Sequence, residues 1–207
     1  MELAVLSIII LIFSVILHEV AHGYMADKLG DPTARFAGRL TLNPIVHIDL
    51  FGSIILPAAL FLSGSPIMFG WAKPVPYNPH NIRGRMGEAL VALAGPATNL
   101  LLAIVFGLLL RVGLGAGDPD IPSILYMIVH INVLLAIFNL LPIPPLDGSK
   151  IMSALLPRDL AIRYESLRNQ LEQNVALGMG ALIVFVLLFG SVLNAVVRFV
   201  SFLIVGV

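Results

Sequence analysis

Ile16-Leu17-His18-Glu19-Val20-Ala21-His22-Gly23 closes the first apolar run of the chain, and its reading decides the fold. A spacing of four between two histidines is about one helical turn, so both imidazoles leave the same helix face. Two neutral imidazoles so placed can share one tetrahedral Zn²⁺, each at about 2.0–2.1 Å. Glu19 stands one position on, beside the site's open position, where a carboxylate can take a proton from water. The plainer reading makes the histidines helix-surface residues and Glu19 a solvated charge. A glutamate inside an apolar run is costly in lipid, however, and marks function.

Composition places that motif in a membrane. Of 207 residues, 58% are hydrophobic and 12% charged, against about half and a quarter in a soluble domain. The net charge of zero gives no electrostatic case for a nucleic-acid partner. With no cysteine, disulfides and thiolate metal sites are excluded. The run from Leu3 to about Leu17 lacks a basic flank before it and a small-residue cleavage site after it, so it reads as a retained span rather than a signal peptide. The first span is Leu3 to Ala26, and His18 falls roughly 22 Å along its axis at ~1.5 Å per residue. That depth lies below the surface of a hydrocarbon layer of about 30 Å.

Gly30-Asp31-Pro32 ends the first helix. From Thr33 to Asn43 the chain alternates, with Arg35, Ala37, Arg39 and Thr41 on one side and Phe36, Gly38, Leu40 and Leu42 on the other. A period of two predicts a short interfacial strand: a surface hairpin, or an edge to which an unwound substrate could add. His47 and Asp49 follow the Asn43-Pro44 turn, as a turn-stabilising network or as reserve ligands. Phe51 to Leu62 is too short to span and contains Pro57, which suits a re-entrant or interfacial segment. Gly70 to Pro79 is proline-rich, with Trp71 and Tyr77 suited to the membrane boundary.

Glu88 to Arg111 reads as the second span, carrying Gly95-Pro96-Ala97-Thr98-Asn99. Packing is the favoured role of that element, with Asn99 facing the metal cavity as the alternative. Ser123 to Leu140 is the third span and runs into Asn139-Leu140-Leu141-Pro142-Ile143-Pro144-Pro145-Leu146-Asp147-Gly148. The prolines preclude an ordinary helix there, so the chain should extend and then turn at Asp147-Gly148. Asp147 is either the cap of a helix starting near Ser149 or the third ligand a two-histidine site requires. Arg158 to Glu172 is amphipathic and suits the membrane surface or a protein face. Asn174 to Val207 holds one span, or one span plus a returning piece.

Charge supplies an independent constraint on Asp147. If Phe51–Leu62 does not cross, then Lys28, Arg35, Arg39, Lys73, Arg83, Arg85, Lys150, Arg158, Arg163 and Arg168 share one side, with Arg111 opposite. If it crosses, the asymmetry largely disappears and Asp147 leaves the histidines' side. The non-crossing topology satisfies both the charges and the metal, and places the motif toward the cytoplasm.

These residues resemble the site-2 protease family (peptidase family M50) of intramembrane zinc metalloproteases, in its compact prokaryotic branch. The likeness rests on His18-Glu19-Val20-Ala21-His22, Gly95 to Asn99, and Asn139 to Gly148. Leu42 to Asp49 and Gly70 to Pro74 carry the likeness to the compact branch. It covers about residues 1–155. It implies a three-helix core, zinc on His18, His22 and Asp147, and cleavage of membrane-embedded substrate helices in a prokaryotic inner membrane. The departure is at Ile143, where many members have asparagine; Asn139 can supply that polar group.

The expectation is an all-α polytopic membrane protein. It has a catalytic core at 1–155 with short interfacial strands and a re-entrant segment, an amphipathic helix at 156–174, and a C-terminal membrane segment at 175–207. One Zn²⁺ sits on His18, His22 and Asp147, Glu19 is the acid–base residue, and Asn139 is the oxyanion donor. The partners are a transmembrane protein substrate and the bilayer. A membrane metal-ion transporter and a non-catalytic membrane scaffold are the competing classes.

Overall fold

The computed structural model describes residues 2–63, 70–84, 86–115, 117–118 and 120–206. Arg85, counted in the charge asymmetry, lies outside them. The elements are α1 (Glu2–Lys28), α2 (Thr33–Phe36), α3 (Leu56–Leu62), α4 (Gly87–Arg111), α5 (Asp120–Asn139), α6 (Asp147–Leu155), α7 (Arg158–Gln173) and α8 (Val175–Val205). Four of these, α1, α4, α5 and α8, are long and apolar enough to cross a membrane. The chain is an all-α polytopic membrane protein.

Helix α4 is the centre, packing against α1, α5, α6 and α8. Away from the histidines, Ala103, Val129, Val133, Val197 and Val205 form a fully buried cluster joining α4, α5 and α8. Gly107 permits the α4–α8 contact, because a Cβ there would overlap Ile204. Large apolar side chains elsewhere on the spans point outward, as in Ile8, Leu101, Leu187 and Phe199. In lipid such exposure is neutral, so helix association depends on close packing and polar contacts rather than apolar burial.

Helices α1 and α4 are antiparallel: Ser14 meets Asn99, and His22 meets Val91. The connection between them therefore leaves and returns at one end of the bundle. Within it, Leu50–Ile55 is a π-helical stretch that runs directly into α3. Asp49 starts that stretch by accepting from the Gly52 N–H at 2.6 Å.

The strand expected within Thr33–Asn43 is absent; no described residue is in a strand. Asp31 accepts from both the N–H and the hydroxyl of Thr33, which starts a helical turn instead. That turn, α2, is closed when Gly38 adopts φ +65° and the Arg39 N–H reaches Ala34 O. The period of two was a coincidence of composition, and local capping overrode it. The segment 140–146 likewise makes compact turns rather than an extended run, with Leu146 N–H donating to Ile143 O. Those turns bring Leu140 O and Leu141 O so close to Gly148 that no side chain fits there. The C-terminal tail is one continuous helix of 31 residues. Helix α7 is anchored through Arg168 to Glu88 of α4, and through the Tyr164 hydroxyl, which donates to Pro142 O.

Candidate metal centre

His18 and His22 project from one face of α1, and the turn after α5 brings Asp147 to them from the start of α6. Asp147 Oδ2 lies 3.1 Å from His18 Nε2 and 3.2 Å from His22 Nε2. All three residues are buried, and their ligating atoms lie within 4.8 Å of one another. Two atoms each about 2.0–2.1 Å from a tetrahedral Zn²⁺ would lie about 3.3 Å apart, close to both of these separations. Asp147 does not act as a cap: it is the first residue inside α6, and the cap position, Leu146, makes no side-chain hydrogen bond.

Proton placement makes the case for a cation. His18 Nδ1 donates to Asn99 Oδ1 at 2.6 Å, and His22 Nδ1 donates to Val91 O at 2.7 Å. The Asn99 orientation is fixed, because its Nδ2 donates to Asn132 Oδ1 at 2.8 Å and to Ser14 O at 3.3 Å. A neutral imidazole has one N–H, and both are committed outward. With both rings neutral, two nitrogen lone pairs and a carboxylate oxygen converge with no proton between them, which is the donor set a divalent cation satisfies. Gly95 of α4 leaves the room: a Cβ there would stand 2.5 Å from His22 Nε2 and 2.6 Å from His18 Nε2. His18, His22 and Asp147 fit Zn²⁺ in both chemistry and spacing.

Behind the ligands lies a polar network. Asn132 Nδ2 donates to Ser14 Oγ at 3.0 Å and to Ile128 O at 2.9 Å, so Ser14, Asn99 and Asn132 tie α1, α4 and α5 together behind His18. Asn99 and Asn132 are wholly inaccessible to solvent. In a low-dielectric interior such a network is rigid only because its members are satisfied.

The remaining expected residues divide. Glu19 is on the adjacent face of α1, and its Oε2 accepts from the Val75 N–H at 2.8 Å. Asn139 donates to Leu135 O, one turn back on its own helix. His47 and Asp49 stabilise turns: His47 Nε2 meets Thr41 O, and Asp49 caps Gly52. Neither belongs to the metal group.

Sequence reading gave no site or network role to Ser14, Asn132, Asp31, Arg39 and Val75, and ranked Asn99 below a packing role. Asn132 carried a usable signal, since an uncharged amide inside an apolar run needs a partner. Asp31 read only as a helix breaker, yet it accepts from Thr33, Asn78 and Asn81 and joins the end of α1 to the chain before α4. Burial alone would raise its carboxyl, but those donors outweigh burial and hold it below the usual carboxylate range.

Comparison with known proteins agrees with this centre. The profile of peptidase family M50 matches residues 6–117 and 115–188. The Putative zinc metalloprotease YwhC of Bacillus subtilis is 38% identical over 198 residues, 92% of this chain and 82% of that protein. The Putative zinc metalloprotease MJ0611 of Methanocaldococcus jannaschii is 33% identical over 155 residues, covering 72% of this chain and 69% of its own length. The Putative zinc metalloprotease Rip2 of Mycolicibacterium smegmatis is 34% identical over 137 residues, of which the chain spans about half the length, 52%. No solved structure matches the chain. Most of the chain is matched by the profile, and the matched part contains the His18, His22 and Asp147 cluster: the chain belongs to peptidase family M50, the site-2 protease family.

Proposed function

We propose that this chain is a zinc-dependent intramembrane endopeptidase that hydrolyses peptide bonds in or near the membrane spans of protein substrates. The observation that carries the reading is the convergence of His18 Nε2, His22 Nε2 and Asp147 Oδ2, with both Nδ1 protons committed elsewhere. These three residues hold one Zn²⁺ per chain. The ion supplies Lewis acidity, which activates water near neutral pH and polarises a carbonyl. Glu19 accepts the proton of the attacking water and delivers it to the leaving amine. Asn139 is the candidate oxyanion donor: its amide has two hydrogens, and Leu135 O takes one.

A peptide bond in a helical span is shielded by its own hydrogen bonds, so the substrate must unwind near the site. A groove of about 370 Å³ lined by Leu17, Val20, Ala21, Tyr24, Leu40 and Thr98 lies against α1 and suits an apolar chain arriving from the bilayer. The charge asymmetry supports an active site toward the cytoplasm of a prokaryotic inner membrane.

The test is Glu19→Gln in purified, lipid-reconstituted protein. Cleavage of a single-span test peptide should fall about 100-fold or more while zinc stays at one per chain. A variant that cleaves as fast as wild type overturns the mechanism. Zinc flux across the vesicle that survives Glu19→Gln would favour a transporter instead.

A further inference from the structure

The segment Trp71–Asn78 has no regular structure, yet contacts far along the chain fix most of the polar backbone atoms in its first half. Trp71 N–H donates to Gly52 O, and Lys73 N–H to His47 O at 2.8 Å. Ser53 Oγ donates to Trp71 O, and Asn78 N–H to Asp31. Val75 is buried over Gly23, where an added Cβ would come within 2.8 Å of Val75 Cγ1. Gly23 lies one turn after Glu19, so this contact holds the segment against the Glu19 face of α1.

Arg39 is the unusual member. It is 7% exposed, and among the described residues it has no carboxylate partner. Its Nη2 donates instead to Lys73 O at 2.8 Å and to Pro74 O at 3.3 Å. Pro74 O and the Val75 N–H are the two ends of one peptide group. The guanidinium therefore stands on the carbonyl side of the peptide whose N–H holds Glu19 Oε2 at 2.8 Å. A cation on the carbonyl polarises the amide and strengthens its N–H as a donor. Prolines on both sides of Val75 stiffen this unit, because Pro76 confines Val75 to extended backbone and Pro74 does the same to Lys73.

We infer that Arg39 and the Val75 N–H are positioning groups for the Glu19 carboxylate, coupled to it through the Pro74–Val75 peptide. The inference rests on the proposed role of Glu19. The Val75 N–H occupies Oε2 and fixes the side chain, so that Oε1 is the oxygen left to take the proton. A free glutamate would instead sample several rotamers and present its base only part of the time. Arg39 does not touch substrate; it acts by holding the peptide that holds the carboxylate.

The sequence supplies its own probe. Neither Pro74 nor Pro76 has an N–H, so the stretch 74–76 contains one exchangeable amide, that of Val75. In the reconstituted full chain, this amide should exchange about 10-fold or more faster in Glu19→Ala than in wild type, with zinc still bound. Arg39→Ala should accelerate it similarly. On a single-span test peptide, Arg39→Ala and Val75→Pro should lower kcat about 10- to 100-fold with KM and zinc content little changed. Arg39→Lys should restore part of kcat, since one N–H donor and the charge return. Val75→Ala keeps the N–H and must stay well above Val75→Pro.

Equal exchange in wild type and Glu19→Ala would overturn the inference. So would Arg39→Ala protein that loses zinc or raises KM with kcat intact, as a merely structural clamp would. If Val75 exchange responds as expected but Glu19→Gln still cleaves, the brace exists and the proposed role of Glu19 is what fails.

Discussion

His18 Nδ1 and Asn99 Oδ1 lie 2.6 Å apart between α1 and α4, and Asn99 is turned to accept because both its amide hydrogens are claimed by Asn132 and Ser14. The tautomer of His18, the first histidine of the candidate metal group, is therefore set by a polar chain reaching α5. A ring with Nδ1–H presents Nε2 as a lone pair, the form a metal needs.

Asn99→Ala should accordingly weaken zinc binding about 10- to 100-fold, measured by competition with a chelator, while leaving the helices intact. Asn132→Ala removes the partner that orients Asn99 and should cost less than Asn99→Ala itself. Zinc affinity unchanged in Asn99→Ala would show that the ring holds its tautomer without this acceptor.

The convergence of the histidine pair and Asp147 was legible because helical spacing and a need for a third ligand are local or countable properties. Asn99 was seen but ranked low, since periodicity gives the face of a residue and not which neighbour that face meets. The misread strand over Thr33–Asn43 has a related cause. Alternation over so short a polar stretch is weak, and one aspartate accepting from Thr33 was enough to make a turn of helix. Arg39 and Val75 were invisible for a different reason. Their partners lie 35 and 56 positions away, and backbone acceptors and donors leave no mark in the sequence.

Asp147→Asn separates ligand from cap. Asparagine caps a helix about as well as aspartate, so a capping residue would tolerate the change. A ligand would not, because the anionic oxygen is lost beside a dication in a low-dielectric site. Zinc content and activity should both collapse with folded protein still recovered, whereas His47→Ala and Asp49→Asn should keep their metal. Stoichiometric zinc in Asp147→Asn together with its loss in Asp49→Asn would transfer the assignment to the turn.

Asp31 should make the chain acid-sensitive. Its folded carboxyl lies below the ordinary range, so its contribution is fully present above the unfolded value of about 3.9 and is lost as pH falls through the folded one. Asp31→Asn, which keeps only part of the acceptor capacity, should cost roughly 2 kcal/mol near neutrality. The gap between wild type and Asp31→Asn in thermal scans should narrow below about pH 4. A gap that widens on acidification would contradict the assignment.

The return of the α1–α4 connection to one end of the bundle makes a topological prediction. Because the chain has no cysteine, single cysteines can be placed at Phe36, His80 and Val112, all exposed positions. An impermeant reagent should label Phe36→Cys and His80→Cys from one side of the membrane and Val112→Cys from the other. Opposite labelling of the first two would mean that the segment containing Leu50–Leu62 crosses.

Gly95→Ala sets helix propensity against site geometry. In an ordinary helix interior the change stabilises by about 0.8–1.0 kcal/mol, because glycine gives up more backbone freedom on folding. In α4 the new Cβ would fall 2.5 Å from His22 Nε2 and 2.6 Å from His18 Nε2, inside van der Waals contact with both ligating atoms. Those rings cannot retreat freely, since Asn99 and Val91 hold their far nitrogens. Zinc affinity should therefore drop at least about 10-fold although helix content by circular dichroism is retained. Gly190→Ala is the matched control: a Cβ there meets only Val186 of its own helix, at 3.7 Å. It should keep full zinc and gain the ordinary increment in stability. Wild-type zinc affinity in Gly95→Ala would mean that the approach of α4 does not frame the site.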